Sequence, residues 1–134
     1  MKSTVFAFAT LILAAVSLSS CKKDPKLAEL IIGNWQSTQI IAGDADLSNV
    51  NRFDLNFQDS REFDLDLRTT IAGVTQTISD SGDWQEDEGK WDVTLTYNSN
   101  GEKITYDVQN IANSEMDVEY TQNGTRYKIK FKKM

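Results

Sequence analysis

Histidine and cysteine, two residue types that often act in enzyme active sites, are scarce in this chain of 134 residues. It has no histidine and a single cysteine, Cys21. Since a Ser–His or Cys–His nucleophile pair needs histidine, neither can form, and a zinc site built from histidine and cysteine is excluded as well. No glycine-rich loop of the phosphate- or dinucleotide-binding type is present. These absences favour a protein that is not an enzyme and that carries no cofactor and no metal, and they leave the carboxylates as the remaining residues that could act in catalysis or bind a metal.

Carboxylates are abundant, and composition alone leaves acid–base catalysis and calcium binding open. The chain has 20 acidic residues and a net charge of −6, which argues against nucleic-acid binding. The densest acidic group is Asp80, Asp83, Glu86, Asp87 and Glu88. Oxygen ligands of this kind bind Ca²⁺, but their spacing does not match an EF-hand loop. We interpret most acidic residues as a solvated exterior, because they alternate with apolar residues along the chain.

Cys21 lies between an apolar stretch and two lysines. Residues 5–18 are apolar except for Thr10 and Ser17, and Lys2 precedes them. This stretch is too short to span a bilayer and is typical of the apolar region of a signal peptide. The sequence Leu18-Ser19-Ser20-Cys21 resembles the lipobox of bacterial lipoproteins. That resemblance implies removal of residues 1–20 and attachment of acyl chains, such as palmitate, to Cys21.

The resulting organisation is a signal peptide at 1–20, a lipidated tether at 21–26 and one domain at 27–134. The processed chain would keep 13 basic and 20 acidic residues, a net charge of −7. Its acyl chains would anchor it in a membrane. Lys22 follows the cysteine, and the resemblance to sorted lipoproteins favours the outer membrane, with the periplasmic face slightly favoured over the cell surface. The alternative is a secreted protein with an incidental free thiol.

Apolar and polar residues alternate along most of the remaining chain, which predicts half-buried antiparallel strands. A short helical turn at 26–32 precedes them, with Leu27, Leu30 and Ile31 on one face. Hairpin signals such as Asn100-Gly101 and Asn123-Gly124 separate the runs. The expected strands are 34–41, 52–58, 61–70, 74–86, 90–97, 102–109, 115–121 and 125–132. Neighbouring strands pair most simply as an up-and-down meander, so we predict a small all-β barrel of about eight strands.

Aromatic residues mark the predicted barrel interior. One Gly-x-Trp pattern occurs three times, in which the glycine allows another part of the backbone to approach closely and the tryptophan fills the space beside it. The three triplets are Gly33-Asn34-Trp35, Gly82-Asp83-Trp84 and Gly89-Lys90-Trp91. We favour core packing over a ligand platform and predict Gly33, Trp35, Trp84 and Trp91 as the barrel floor. The candidate ligand-binding residues are Tyr97, Tyr106, Tyr120 and Tyr127, whose hydroxyls need partners. Because most inward positions are large, we expect a filled interior with a shallow pocket at one mouth.

The chain resembles the lipocalin-like lipoproteins of Bacteroides-type bacteria. The resemblance rests on residues 30–35, Leu-Ile-Ile-Gly-Asn-Trp, opening the first strand, on the strands around Trp84 and Trp91, and on the closing strand 127–132. It implies a small meander barrel that binds an apolar ligand and has no enzyme activity. In lipocalins a late arginine packs over the first-strand tryptophan. Arg126 lies in that region, but its position in the strand is outward, so we do not assign it this role.

Two functions remain open from the sequence. The first is a lipid-anchored cell-envelope protein, non-catalytic, that binds a small apolar or amphipathic ligand. The second is an accessory protein with a filled barrel that docks onto an envelope protein complex.

Overall fold

Residues 25–134 are described by a computed structural model of the chain, and they form one closed β-barrel. The predicted signal peptide, Cys21 and the first part of the tether lie outside the described residues. A short helix, α1 (Leu27–Ile31), precedes the strands. The strands are β1 (Gly33–Ala42), β2 (Ala45–Asp46), β3 (Asn51–Phe57), β4 (Glu62–Ile71), β5 (Val74–Asp87), β6 (Asp92–Tyr97), β7 (Lys103–Ile111), β8 (Glu115–Gln122) and β9 (Thr125–Lys133).

The barrel is an up-and-down meander of eight antiparallel strands, as the alternation predicted. Sequence neighbours pair from β3 through to β9, and β1 closes the barrel by pairing with β3 on one side and β9 on the other. The two-residue strand β2 pairs only with the end of β1 and belongs to the connection between residues 42 and 51. A bulge at Thr38 shifts the register of β1 against β9, which turns both Trp35 and Ile40 inward.

The inward side chains form one hydrophobic core. Twenty buried apolar residues belong to it, and among the described residues no polar or charged residue is fully buried. No helix in residues 25–134 has the length and apolar character needed to cross a membrane.

One end of the barrel is closed by α1 and by Trp35. Leu27 and Ile31 of the helix are fully buried. The Trp35 indole donates a hydrogen bond from Nε1 to the Ile31 carbonyl at 2.7 Å. Lys133, at the end of the last strand, places its Nζ 5.2 Å from the Trp35 ring centroid and donates to the Leu30 carbonyl at 3.3 Å. Trp35 therefore links the helix, the first strand and the last strand.

Lys133, at the end of β9, is the cation that lies over the Trp35 ring. Arg126 instead lies on the outer surface and forms an ion pair with Glu119, in agreement with its outward position in the strand. The ammonium of Lys133 reaches Trp35 because residue 33 has no side chain. A Cβ at Gly33 would lie 2.6 Å from Lys133 Cε, and Gly33 has a φ of 134°. The first Gly-x-Trp triplet thus lies at the closed end of the barrel.

The second triplet also belongs to the floor. The Trp84 ring meets Phe57 edge-on with centroids 5.5 Å apart, and the Arg61 guanidinium lies 4.5 Å from its centroid. Its Nε1 donates to the Gln58 carbonyl at 3.0 Å.

The prediction for Trp91 is wrong. Trp91 lies in the turn between β5 and β6, is 40% exposed and has a φ of 52°, so β6 begins at Asp92 rather than at residue 90. The Asp87 carboxylate accepts hydrogen bonds from the amides of Gly89 and Lys90, which fixes a tight turn. Because a left-handed residue breaks the alternation of an extended strand, Trp91 cannot follow the inward positions of Val93 and Leu95.

Gly82 allows β5 and β6 to approach closely. A Cβ at this position would lie 1.9 Å from the Thr96 carbonyl oxygen and 2.8 Å from the Phe63 ring. Since both neighbours belong to the sheet or the core, neither can move without breaking other contacts.

Replacing Gly82 with alanine should therefore lower the free energy of unfolding by about 3 kcal/mol, measured by denaturant titration. The matched control is Gly89→Ala. There the nearest atom to a new Cβ is the Asp87 carboxylate at 3.4 Å, and we expect a change below about 0.5 kcal/mol. Equal effects of the two substitutions would contradict this account of the β5–β6 approach.

Candidate functional site

The end of the barrel opposite α1 is open and contains a pocket of about 200 Å³. We call it the mouth pocket. Its residues come from β3, β4, β5, β7 and β8, from the last residue of β6, Tyr97, and from the loop after it. They are Phe53, Leu65, Leu67, Asp80, Tyr97, Asn100, Glu102, Ile104, Tyr106, Tyr120 and Gln122.

The walls of the mouth pocket are apolar and aromatic. Leu65 and Ile104 are almost fully buried, and Phe53 packs against the core from a half-buried position. These side chains point inward because they occupy alternate positions of their strands, the periodicity that predicted the barrel. The mouth pocket is thus formed by the core side chains nearest the open end, where the strands extend beyond the packed core.

Three of the four candidate tyrosines line the mouth pocket. Tyr106 and Tyr120 stack with ring centroids 4.9 Å apart, and Tyr97 meets Phe63 edge-on at 5.3 Å. Tyr97 and Tyr106 share a hydrogen bond through their side chains. Tyr127 does not line the pocket but stacks on the far side of Tyr120, with centroids 4.9 Å apart. The tyrosines therefore form one connected group, of which Tyr127 is a supporting member.

Burial raises the pKa of Tyr97, Tyr106 and Tyr120 and keeps these three phenols protonated. It raises the pKa of Tyr106 well above its usual value of 10.0, and the neighbouring Tyr97 and Tyr120 add to the shift. Burial also raises the pKa of Tyr120. For Tyr97, burial is the main cause of a raised pKa, opposed by the hydrogen bond with Tyr106 and reinforced by the charges of Asp80 and Glu102. Near neutral pH the pocket thus offers uncharged hydroxyl groups to a bound molecule.

The rim of the mouth pocket is polar and acidic. Asp80 accepts hydrogen bonds from the Ser99 hydroxyl at 2.6 Å and from the Ser81 amide at 2.8 Å. Glu102 accepts from the side-chain amides of Asn100 and Gln122, each at 3.3 Å. Both carboxylates are thereby held in place, and the two charged side chains that line this pocket are both negative.

Several residues of the mouth pocket were not singled out from the sequence. Phe53 and Leu67 were recognised only as strand residues. Asp80 was considered as part of an acidic group, although it shares its inward position with Gly82 and Trp84, and that signal could have placed it at the mouth. Glu102 lies in a loop, where no alternation of apolar and polar residues indicates which way its side chain points.

The acidic stretch from Asp80 to Glu88 does not converge on one point. Asp80 lies at the mouth, whereas Glu88 lies at the closed end and accepts hydrogen bonds from the amides of Leu27 and Ala28 at 3.1 and 3.3 Å. Within residues 25–134, no group of three or more carboxylate, cysteine or histidine side chains is arranged to hold a metal ion. Glu88 caps the short helix instead.

Comparison with solved structures identifies the fold. A bovine odorant-binding protein in complex with a selenium-containing odorant has a TM-score of 0.53 and 15% identity, covering 84% of this chain and 75% of that one. The same protein with its natural ligand gives a TM-score of 0.51 at 15% identity, with 84% and 76% covered. A redesigned β-barrel gives 0.57 at 18% identity, with 81% and 96% covered. The chain therefore has a lipocalin-like fold.

No protein-family model matches the chain, and no curated protein matches it.

The buried tyrosines predict how stability depends on pH. In the unfolded chain tyrosine ionises near a pKa of about 10, whereas the raised pKa of Tyr97, Tyr106 and Tyr120 keeps these phenols neutral in the folded barrel. The free energy of unfolding should therefore be insensitive to these groups below about pH 9 and should fall as the pH rises above about 10.

Denaturant titrations across this range, with tyrosinate absorbance recorded in parallel, test the prediction. Tyr106→Phe should make the fall shallower, because it removes the group with the strongest shift. The prediction would be contradicted if all tyrosines of the folded protein ionised near pH 10 and the free energy of unfolding did not fall.

Proposed function

We propose that this protein is a lipid-anchored binding protein of the cell envelope that holds a small apolar or amphipathic molecule in the mouth pocket. The observation that carries the proposal is the asymmetry of the barrel. One end is packed with helix and tryptophan, and the other ends in an open pocket with apolar walls and neutral hydroxyls. Small-molecule sites commonly combine apolar walls with a few polar groups.

The structural neighbours support a binding role. One bovine odorant-binding protein structure is a complex with a selenium-containing odorant, and another is a complex with undecanal, an aldehyde with a long apolar chain. The relation is distant, so it supports the class of function and not the identity of the ligand. We propose no catalytic activity, because none of the named pocket residues forms a nucleophile–base pair.

The charges of the rim favour one type of amphipathic ligand. Asp80 and Glu102 would attract a protonated amine and repel a carboxylate at the mouth. The volume of about 200 Å³ suits a molecule of about ten non-hydrogen atoms. An apolar body in the pocket, with a neutral or cationic group at the rim, fits this arrangement.

Anchoring through Cys21 would orient the barrel. Only five residues separate Cys21 from Leu27, the first residue of α1, and fully extended they span roughly 20 Å. Since α1 lies at the closed end, an anchored chain would turn that end towards the membrane and the mouth away from it. We place the anchor in the outer membrane, on the periplasmic face, from the residues around Cys21.

Binding can be tested with three probes that share one skeleton: 2-phenylethanol, protonated 2-phenylethylamine and phenylacetate. We expect the first two to shift the backbone amide signals of Tyr97, Ile104 and Tyr106 in nuclear magnetic resonance titrations, with Kd values on the order of 0.1–1 mM. Phenylacetate should bind at least about fivefold more weakly, because the rim is acidic.

Leu67→Trp should reduce binding of all probes, because it fills the mouth pocket from a half-buried position. Thr105→Trp is the matched control, since Thr105 is exposed on the outer face of β7, between Ile104 and Tyr106. Absence of binding by every probe, together with native mass spectra of the host-purified protein that show no bound molecule, would contradict ligand carriage.

The anchor makes a separate prediction. In a bacterial host the full chain should fractionate with membranes, and Cys21→Ser should move it to the soluble fraction because the acyl chains are lost. Ser20→Ala is the control, since it keeps a small residue before the cysteine. A wild-type chain whose Cys21 carries no acyl group by mass spectrometry would contradict the anchor and leave the barrel's binding role unaffected.

A second candidate function, an accessory protein that docks onto envelope proteins, is supported by a different observation. The β4–β5 hairpin exposes Ile71, Val74 and Ile78, which are 66%, 63% and 67% exposed. Grouped apolar side chains at a surface favour contact with another protein.

A further inference from the structure

The β4–β5 hairpin extends beyond the barrel mouth. β5 contains 14 residues, but β6 contains only six and pairs with β5 only from Gly82 to Asp87. The upper part of β5, residues 74–81, therefore pairs with β4 on one side and has no neighbouring strand on the other among the described residues. We call residues 74–79 the free edge.

Alternate residues of the free edge direct their main-chain N–H and C=O groups away from the hairpin. The Thr70 amide donates to the Val50 carbonyl at 2.7 Å, so Thr70 faces β3 and its cross-strand partner Thr75 must face away from β4. Main-chain direction alternates along a strand, so Thr77 and Ser79 face the same way. The next residue of this series, Ser81, accepts a hydrogen bond from the Asn98 amide at 2.8 Å, which confirms the direction.

The side chains of this edge lack the features that normally prevent pairing. Between Thr69 and Ser79 there is no charged residue and no proline, although a quarter of the whole chain is charged. Exposed sheet edges are usually protected by lysine, proline, inward charges or a covering loop. Here threonine, valine and isoleucine, which favour extended structure, occupy seven of these eleven positions.

We propose that the free edge pairs with the free edge of a second copy of this chain, so that two barrels form a symmetric dimer through one continuous sheet. In an antiparallel pair with Gln76 opposite Gln76, Val74 of each copy lies opposite Ile78 of the other. Thr75 lies opposite Thr77, and these residues would exchange main-chain hydrogen bonds. The pairing ends at Ser79, before the place where Ser99 contacts Asp80.

This register is the one that the side chains support. A shift of one residue would place the apolar side chains of one copy on the opposite face of the sheet from the apolar side chains of the other copy. A shift of two residues would place Val74 opposite Gln76 or opposite Asp80. A second copy also suits the charge, because the uncharged edge lets two chains of net charge −6 meet without opposing like charges at the contact.

The contact is small, with about six residues on each side, so the dimer should be reversible and should form at high protein concentration. Residues 22–134 provide a suitable sample, since every described strand and all the buried core residues lie between Leu27 and Lys133. Sedimentation velocity from about 1 µM to 1 mM should show monomers converting to dimers, with a Kd on the order of 0.1 mM.

A cysteine at the two-fold axis tests the register. Residues 22–134 contain no cysteine, so Gln76→Cys introduces the only thiol. In the proposed pair the two residue-76 Cα atoms would lie about 4.5 Å apart, within the range for a disulfide. Mild oxidation should yield covalent dimers. Thr70→Cys is the control, because Thr70 is also exposed on this hairpin but lies in β4, one strand from the free edge, and its main-chain groups face β3.

A charge on the free edge should break the dimer. Ile78→Lys should raise its Kd at least about tenfold, because it removes two apolar pairs and opposes the partner's Val74 with a charge. Thr70→Lys should leave the Kd unchanged. Both positions are exposed, and amide spectra will show whether the barrel is retained.

Two results would overturn the proposal. One is a chain that stays monomeric up to 1 mM, with Gln76→Cys no faster to form disulfides than Thr70→Cys. The other is crosslinking of Gln76→Cys in intact cells only to a protein of different mass, which would assign the free edge to another partner. Both outcomes are independent of ligand binding in the mouth pocket.

Discussion

The Trp35 indole connects three parts of the chain that would otherwise meet only through side-chain packing. It bonds the carbonyl of Ile31 in α1, belongs to β1, and lies beneath the ammonium of Lys133 in β9. Because Gly33 has no side chain, Lys133 can reach both the ring and the Leu30 carbonyl. The closed end of the barrel depends on this arrangement, and the open end is its consequence, since one short helix can cover only one end.

The division between a packed floor and an open mouth explains the character of the candidate site. Large side chains, among them Trp35, Phe57 and Trp84, fill the floor and are almost fully buried. Towards the mouth, Tyr106 stacks on Tyr120 and shares a hydrogen bond with Tyr97, and all three line the pocket. Rings held by stacking lose little freedom when a molecule binds, so the pocket is largely formed in advance.

Alternation of apolar and polar residues was sufficient to predict the barrel, the number of its strands and their order in the sheet, because each strand has one buried face. It failed at Trp91, where a turn fixed by Asp87 ends the extended backbone and the alternation with it. It also overlooked Lys133 and Asp80, whose strand positions are inward but whose charge suggested solvent. The polar rim at Glu102 lies in a loop, and its direction follows from tertiary contacts that a single sequence does not reveal.

The closure of the barrel has a consequence for how the chain folds. Every other ladder of the barrel wall joins strands that are close in sequence and can form as local hairpins or meanders. The β1–β9 ladder instead joins Trp35 to Lys133 and Ala42 to Tyr127, across almost the whole domain. Pairing over such a separation costs the most chain entropy, and proteins rich in distant contacts fold slowly. We therefore expect an ordered eight-strand meander, with β1 and β9 as its two open edges, to precede the final step, in which these two edges pair and close the barrel.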